Sequence, residues 1–425
     1  MNNHFTRTAS LLLVFGLLFG CSSSLPGIYQ ARMNMDNEQY DKALRTINKE
    51  IEANPGNPEG YYLKGNILFE LALDQSNPSN RTSFYEDMRS ALMQSRDLYS
   101  DSASTMRSVK LNNIDDLLRN GWSHEYRAGL AFIQKDSLVG GMTSSEAIAH
   151  FNNAITIIPD SLQPYRHKAR ILYRDGNHEE AINTLTSILK QYQRPSPATL
   201  EQLAYLYQKT GNTERAIPLF EEAFKQNAEN SNLAHGLVNA YIESGKHQKA
   251  VRLLDTLITR FPRVPSYRIS YAGELYHLGA LHLDTIRTNT QGPSGNNPAA
   301  DVDSSRLTMI NQHWSQAQDY YRNAREQYTI ADTLRPKSAE IDYSVAVFYK
   351  NMALDHRYIL STLPPSATRS SDSTVNRYLK TAIGHLESAA QLTPENPQYW
   401  SQLYQLYSHF GMKEKAREAR EKANL

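Results

Sequence analysis

Five stretches of the chain repeat one arrangement: an alanine, a large apolar residue four positions on, and an apolar residue three further on. They are YDKALRTINKEIEANPGNP, EAIAHFNNAITIIPD, EAINTLTSILKQY, ERAIPLFEEAFKQNAEN and KAVRLLDTLITRFPR, with the alanines at Ala43, Ala147, Ala181, Ala216 and Ala250. The first departs at its last place, where Glu50 stands. Spacings of four and three put these side chains on one face of a helix. The last three alanines are 35 and 34 residues apart, and self-similarity at a period of roughly 20–50 residues specifies stacked supersecondary units rather than independent globular domains.

A second pattern precedes the first in each unit. Leu203-Ala204-Tyr207, Leu237-Val238-Tyr241, Val345-Ala346-Tyr349 and Trp400-Leu403-Tyr404-Tyr407 mark first helices, and Gly176, Gly211, Gly245 and Gly411 mark turns into the second. Together they resemble the tetratricopeptide repeat, a helix-turn-helix unit of about 34 residues with WxxLGxxY in its first helix and AxxxF…A…P in its second. The resemblance implies an all-α, right-handed superhelical solenoid, in which small alanines let antiparallel helices approach and the large residue fills the gap to the next pair. One such unit cannot bury its apolar stripe alone. The pattern extends over residues 29–425 as one solenoid of about eight or nine repeats, with loop insertions near 73–83, 285–306 and 361–375. Ala324, Tyr328, Ala331 and Pro336 complete a unit begun near 267–283, in a helix expected from Ser315, just after Trp314. Ala382, Leu386, Ala389 and Pro394 complete a unit begun near Ala339. Residues 61–71 and 84–99 are expected as a helix pair. Residues 100–140 are the least regular, with two helices expected at 104–119 and 122–134.

The single cysteine, Cys21, follows an apolar run from Leu11 to Phe19 that is preceded by one cation, Arg7. These are the parts of an export signal, too short for a spanning helix of roughly 20 apolar residues. Leu18-Phe19-Gly20-Cys21 resembles the lipobox of bacterial lipoproteins, with Phe19 in place of the usual small residue. The resemblance implies a signal peptide over 1–20, a thioether-linked diacylglycerol and an N-acyl chain (palmitate) on Cys21, and a short tether over 21–28. Several acyl chains would anchor the protein firmly, because each buried methylene contributes about 0.8 kcal/mol. Ser22, Ser23 and Ser24 follow, with no aspartate after the cysteine; under the enterobacterial sorting rule that implies an outer-membrane lipoprotein facing the periplasm.

Without residues 1–20 the chain loses only Arg7 among its charges, leaving 44 basic against 44 acidic residues. A nucleic-acid binder carries a basic excess, which this balance excludes for the chain as a whole. No HExxH, CxxC, GxxxxGK[ST] or GxSxG occurs. His277 and His282 are five apart, off one helix face, which argues against a shared metal. Glu179 and Glu180 open a second helix, where the helix dipole favours them. The sequence therefore points to a non-catalytic adaptor with no cofactor and no metal, holding a protein or peptide partner in the cell envelope. A carbohydrate-binding or polysaccharide-export component is the alternative, because groove aromatics could stack on sugar rings.

Arg166, Arg170 and Arg174 are four apart, a ladder on one helix face. In the resemblance they take the fifth, ninth and thirteenth positions, which line the family's concave surface, with Tyr173 beside them. Tyr205 and Lys209 are the corresponding candidates in the next first helix, and Tyr276 lies at an inner position further on. The ladder is either a solvated cationic face, partly balanced by Glu201, or a receiver of partner carboxylates, which guanidinium groups grip bidentately. Tyr207, Tyr241, Tyr349 and Tyr407 fall on packing positions, and Trp122 and Trp314 are expected in core or inter-helix contacts.

Overall fold

The computed structural model describes residues 26–101, 106–134, 143–191, 195–290, 304–362 and 371–425. The signal-like segment and Cys21 lie outside them. Among these residues stand eighteen α-helices and one short 3-10 turn, and no strand. The chain divides after Arg194 into two compact units, each described by itself.

The first unit holds α1 (Pro26–Asp36), α2 (Tyr40–Ala53), α3 (Pro58–Asp74), α4 (Thr82–Ser100), α5 (Arg107–Gln134), α6 (Ser144–Ile157), α7 (Leu162–Arg174) and α8 (His178–Gln191). The second holds α9 (Pro197–Lys209), α10 (Thr213–Gln226), α11 (Ser231–Glu243), α12 (His247–Arg260), α13 (Pro265–Thr290), α14 (Ser304–Leu334), α15 (Ala339–Thr362), α16 (Ser371–Leu392), α17 (Pro397–His409) and α18 (Lys413–Lys422). Consecutive helices pack as pairs, α1 with α2 through α17 with α18, so the eighteen described helices make nine pairs.

Local chemistry sets the helix ends. Asn57 and Asn396 cap α3 and α17, each side-chain oxygen accepting from the backbone N–H two residues on, with a proline at the first helical position. Thr143 and Glu146 form a reciprocal capping box on α6. Between the helices of a pair, Gly211 adopts φ 77°, the left-handed region that glycine enters without a Cβ penalty. The N–H of Asn212 then donates to Tyr207 O at 2.8 Å, closing the helix end as a Schellman motif. Gly176, Gly245 and Gly411 repeat that positive φ.

The alanine pattern is the core. Ala43, Ile47, Ala147, Phe151, Ala154, Ala181, Leu185, Ile188, Ala216, Phe220, Ala223, Ala250, Leu254 and Leu257 are all fully buried. Where α13 crosses α14, a Cβ on Gly279 would lie 2.5 Å from Tyr321 Cε1 and 3.2 Å from Ala317 O, so the two helices approach as far as glycine permits. A polar clip recurs as well. Tyr241 donates to Glu221 at 2.6 Å and Lys249 pairs with Glu221 at 3.2 Å; Tyr407, Glu387 and Lys415 repeat it at 2.6 and 2.8 Å. Each clip joins a second helix to both helices of the following pair.

The structure corrects the boundaries in four places. Helix α5 is continuous where two helices were expected: Gly121 stays helical, and a Cβ on it would lie 3.4 Å from both Phe69 and Ile157. Helix α14 starts at Ser304, so Trp314 lies within it instead of before it. The insertions near 285–306 and 361–375 are narrower than expected, because α13 runs to Thr290, α15 to Thr362, and α16 starts at Ser371. The insertion near 73–83 is likewise narrower, because α3 runs to Asp74 and α4 starts at Thr82, and the connection between them carries a 3-10 turn at Pro78–Asn80, held where Asn153 Nδ2 donates to Pro78 O at 2.9 Å.

Candidate binding surface

Helix α7 buries Pro164, Ala169, Ile171 and Leu172 and leaves Arg170 and Arg174 exposed, with Arg166 half-buried. The ladder is real in its spacing but unequal in its chemistry. Arg174 is committed locally: its Nη2 donates to Ser144 Oγ at 3.1 Å, its Nε pairs with Asp175 at 3.3 Å, and its guanidinium lies 4.9 Å from the centre of the Phe132 ring. Arg170 makes no ion pair among the described residues. His167 lies on the same helix, its Nε2 3.1 Å from the Tyr126 hydroxyl. Burial pushes its pKa down, and Arg166 and Arg170 push it the same way, so the imidazole is neutral at pH 7 and adds no charge to the ladder.

The aromatic candidates are more occupied than the sequence suggests. Tyr173 is half-buried with its ring 4.8 Å from that of His178. In the second unit, Tyr205 donates to Asn232 O at 3.1 Å and stands edge-on to Phe220, while Lys209 in the last turn of α9 is exposed. The structure therefore gives a cationic patch on α7 in one unit and Tyr205 with Lys209 on α9 in the other. Tyr276 is an internal contact: its hydroxyl donates to buried Asp355 at 2.8 Å.

Trp122 stacks on Tyr126 of its own helix at 4.6 Å and packs against the buried cluster that α3, α4 and α6 share with α5, and Trp314 packs against Tyr321 of its own helix and His356 of α15. The His277 and His247 rings lie 3.8 Å apart at a tilt of 34°, and His282 Nδ1 meets His313 Nδ1 at 3.0 Å. Among the described residues no three or more His, Cys, Asp and Glu side chains group to hold a metal, and no helix is long and apolar enough to cross a membrane.

Two polar features escaped the sequence: the carboxylate of Glu125, buried among four donors, and a cleft beside Trp314 and Arg325. Glu125 had one signal. It stands four residues before Gly129, where the pattern WxxLG has its tryptophan, so a charge occupies a packing position.

Helix pairs, four of them joined by glycine turns, with buried alanines in their packed faces, give the chain the all-α fold of stacked tetratricopeptide-type repeats. Residues 207–270 match the family model of the tetratricopeptide repeat. Over 257 residues the chain is 23% identical to the TPR repeat-containing protein YpiA of Bacillus subtilis (strain 168), a match that takes in 58% of each of the two chains. Among solved structures, pilF of Pseudomonas aeruginosa is 14% identical, with 67% of this chain and 97% of that chain covered and a TM-score of 0.40. A thermophilic TPR protein of Thermus thermophilus is 17% identical, with 54% and 90% covered and a TM-score of 0.33. Repeats of this class are in general non-catalytic scaffolds for protein and peptide partners.

Proposed function

We propose that the chain is a lipid-anchored adaptor of the bacterial cell envelope, which holds a segment of a partner protein against the first helices of its repeats. The observation that carries the binding half is Arg170: an exposed guanidinium with no ion pair among the described residues, on a helix whose apolar side is buried. A partner carboxylate can take two parallel N–H···O bonds from it, with Arg166 adding field along the same face. Tyr205 and Lys209 are the further contacts in the second unit. Arg170→Glu is expected to weaken capture of the partner from solubilised envelopes roughly tenfold at low salt and to flatten the salt dependence of capture. Because the side chain is exposed, stability should stay within about 0.5 kcal/mol of wild type. Equal capture by the two proteins at low salt would return the ladder to solvated surface.

The anchoring half rests on Leu18-Phe19-Gly20-Cys21. Cys21→Ser removes the only thiol that can be acylated, so the variant should move from the membrane fraction to the soluble periplasmic fraction, with unchanged helical circular dichroism. Retention on membranes after a high-salt wash would defeat the lipoprotein assignment and leave the repeat scaffold standing.

A further inference from the structure

In the second unit, α14, α15 and α16 enclose a cleft of about 230 Å³ that contains none of the contacts proposed above. Its wall is aromatic. The Trp314 ring centre lies 5.4 Å from that of His356, which lies 6.2 Å from that of Tyr378, and Tyr321 and Met352 line it too. Drug-sized ligands occupy pockets of roughly 300–1,000 Å³, so this space suits a single ring or side chain.

The charges around the cleft are unequal. Arg322 is paired with Asp319 at 2.5 Å, and the Arg377 guanidinium lies 5.6 Å from the centre of the Tyr378 ring. Burial and then Arg377 lower the pKa of His356, which leaves it uncharged at pH 7. Asp355 lies behind the wall with its Oδ2 accepting from the Tyr276 and Tyr321 hydroxyls at 2.8 Å each. That leaves Arg325, exposed at the rim and without an ion pair among the described residues.

We propose that this cleft binds a flat apolar group carrying one carboxylate, with its ring against Trp314 and Tyr378 and its carboxylate on Arg325. A phosphate dianion would call for a second uncommitted cation on the cleft wall, and of the two arginines that line it Arg322 already has Asp319. A wholly apolar group would leave the guanidinium without a counterion. The same chemistry is offered by a free aromatic acid and by the C-terminal aromatic residue of a protein; only the second source rests on the adaptor function proposed above.

Calorimetric titration of the full chain tests this with three probes: N-acetylphenylalanine, its amide, and a hexapeptide ending in a free phenylalanine carboxylate. The acid should bind saturably and at least roughly tenfold more tightly than the amide. Arg325→Gln should abolish that preference, Arg322→Gln should leave most of it, and Trp314→Ala should weaken acid and hexapeptide alike. Arg325 is exposed, so its variant keeps the fold, checked by circular dichroism. Tighter binding of the hexapeptide assigns the cleft to a protein terminus, and tighter binding of the free acid assigns it to a small molecule. Equal binding of acid and amide, or a preference that survives Arg325→Gln, overturns the assignment. Capture of an envelope partner through Arg170, with no binding of any probe, would overturn this cleft alone and leave the adaptor function intact.

Discussion

Glu125→Ala is expected to destabilise the first unit by about 3–5 kcal/mol, the usual cost of removing one partner from a buried ion pair. Glu125 is fully buried on α5. Its Oε1 accepts from Arg81 Nη1 at 2.9 Å and from the Tyr85 hydroxyl at 2.8 Å. Its Oε2 meets His150 Nδ1 at 2.6 Å and Asn153 Nδ2 at 3.2 Å. An ionised carboxylate only accepts, so His150 must donate from Nδ1. Asn153 in turn donates to Pro78 O, and its Oδ1 accepts from Thr82 at 2.8 Å. One carboxylate thus fastens the 3-10 turn, α4, α5 and α6 to one another. Alanine would strand four donors, each costing about 1–3 kcal/mol if left unsatisfied, less whatever water recovers. Urea unfolding of the two proteins measures the difference, and hydrogen exchange should place the lost protection in α4 to α6. A change under about 1 kcal/mol would show that the network relaxes without it.

The same residue gives an acid-side signature. Burial alone would raise the Glu125 pKa, but the bonds from His150, Tyr85 and Arg81 outweigh it and hold the value at about 2, against an ordinary 4.5. A carboxyl depressed on folding contributes stability that is complete above its unfolded value and lost as pH falls through its folded value. Between pH 5 and pH 2 the wild type should lose roughly 3 kcal/mol that Glu125→Gln, which has no such proton to take up, does not lose. Parallel pH profiles would contradict the depressed value.

Period and polarity of the sequence carry the packing and little of the polar detail. Ala216 and Phe220 were legible because a repeat must place the same small and large residues at every crossing, and Gly211 because the turn needs a positive φ. The continuity of α5 was not legible: Gly121 reads as a break, and Phe69 and Ile157, which pack against it, are far away in sequence. The arginine ladder was legible as spacing, yet the commitment of Arg174 depends on Phe132 and Ser144, in other helices. Tyr276 read as a groove aromatic because nothing in its own helix announces Asp355, 79 residues away. The position of Glu125 four before Gly129 was visible, but its four donors were not, for the same reason, since they come from residues 81 to 153. The period says which face is buried; the polar partners on that face belong to tertiary neighbours with no fixed spacing.

Ala216→Trp tests the repeat packing at a close helix crossing. Ala216 is fully buried on α10, which packs against α9 and α11. One turn further on, Phe220 lies so close to α11 that a Cβ on Gly236 would come within 2.6 Å of its ring, and 3.2 Å from the Tyr205 hydroxyl. An indole at position 216 must therefore separate helices instead of filling a void. The expected cost is about 3 kcal/mol or more, at or beyond the upper end of ordinary overpacking. Ala216→Gly, which adds no volume, should cost only about 1 kcal/mol through helix propensity. Stability in stacked repeats is a sum of unit and nearest-neighbour terms, so the damage should begin locally. Hydrogen exchange of the tryptophan variant is expected to show protection lost first in α9 to α12 and kept in α15 to α18. A uniform loss across the second unit would show instead that its pairs fold as one cooperative block, in which case the nearest-neighbour description fails for this chain.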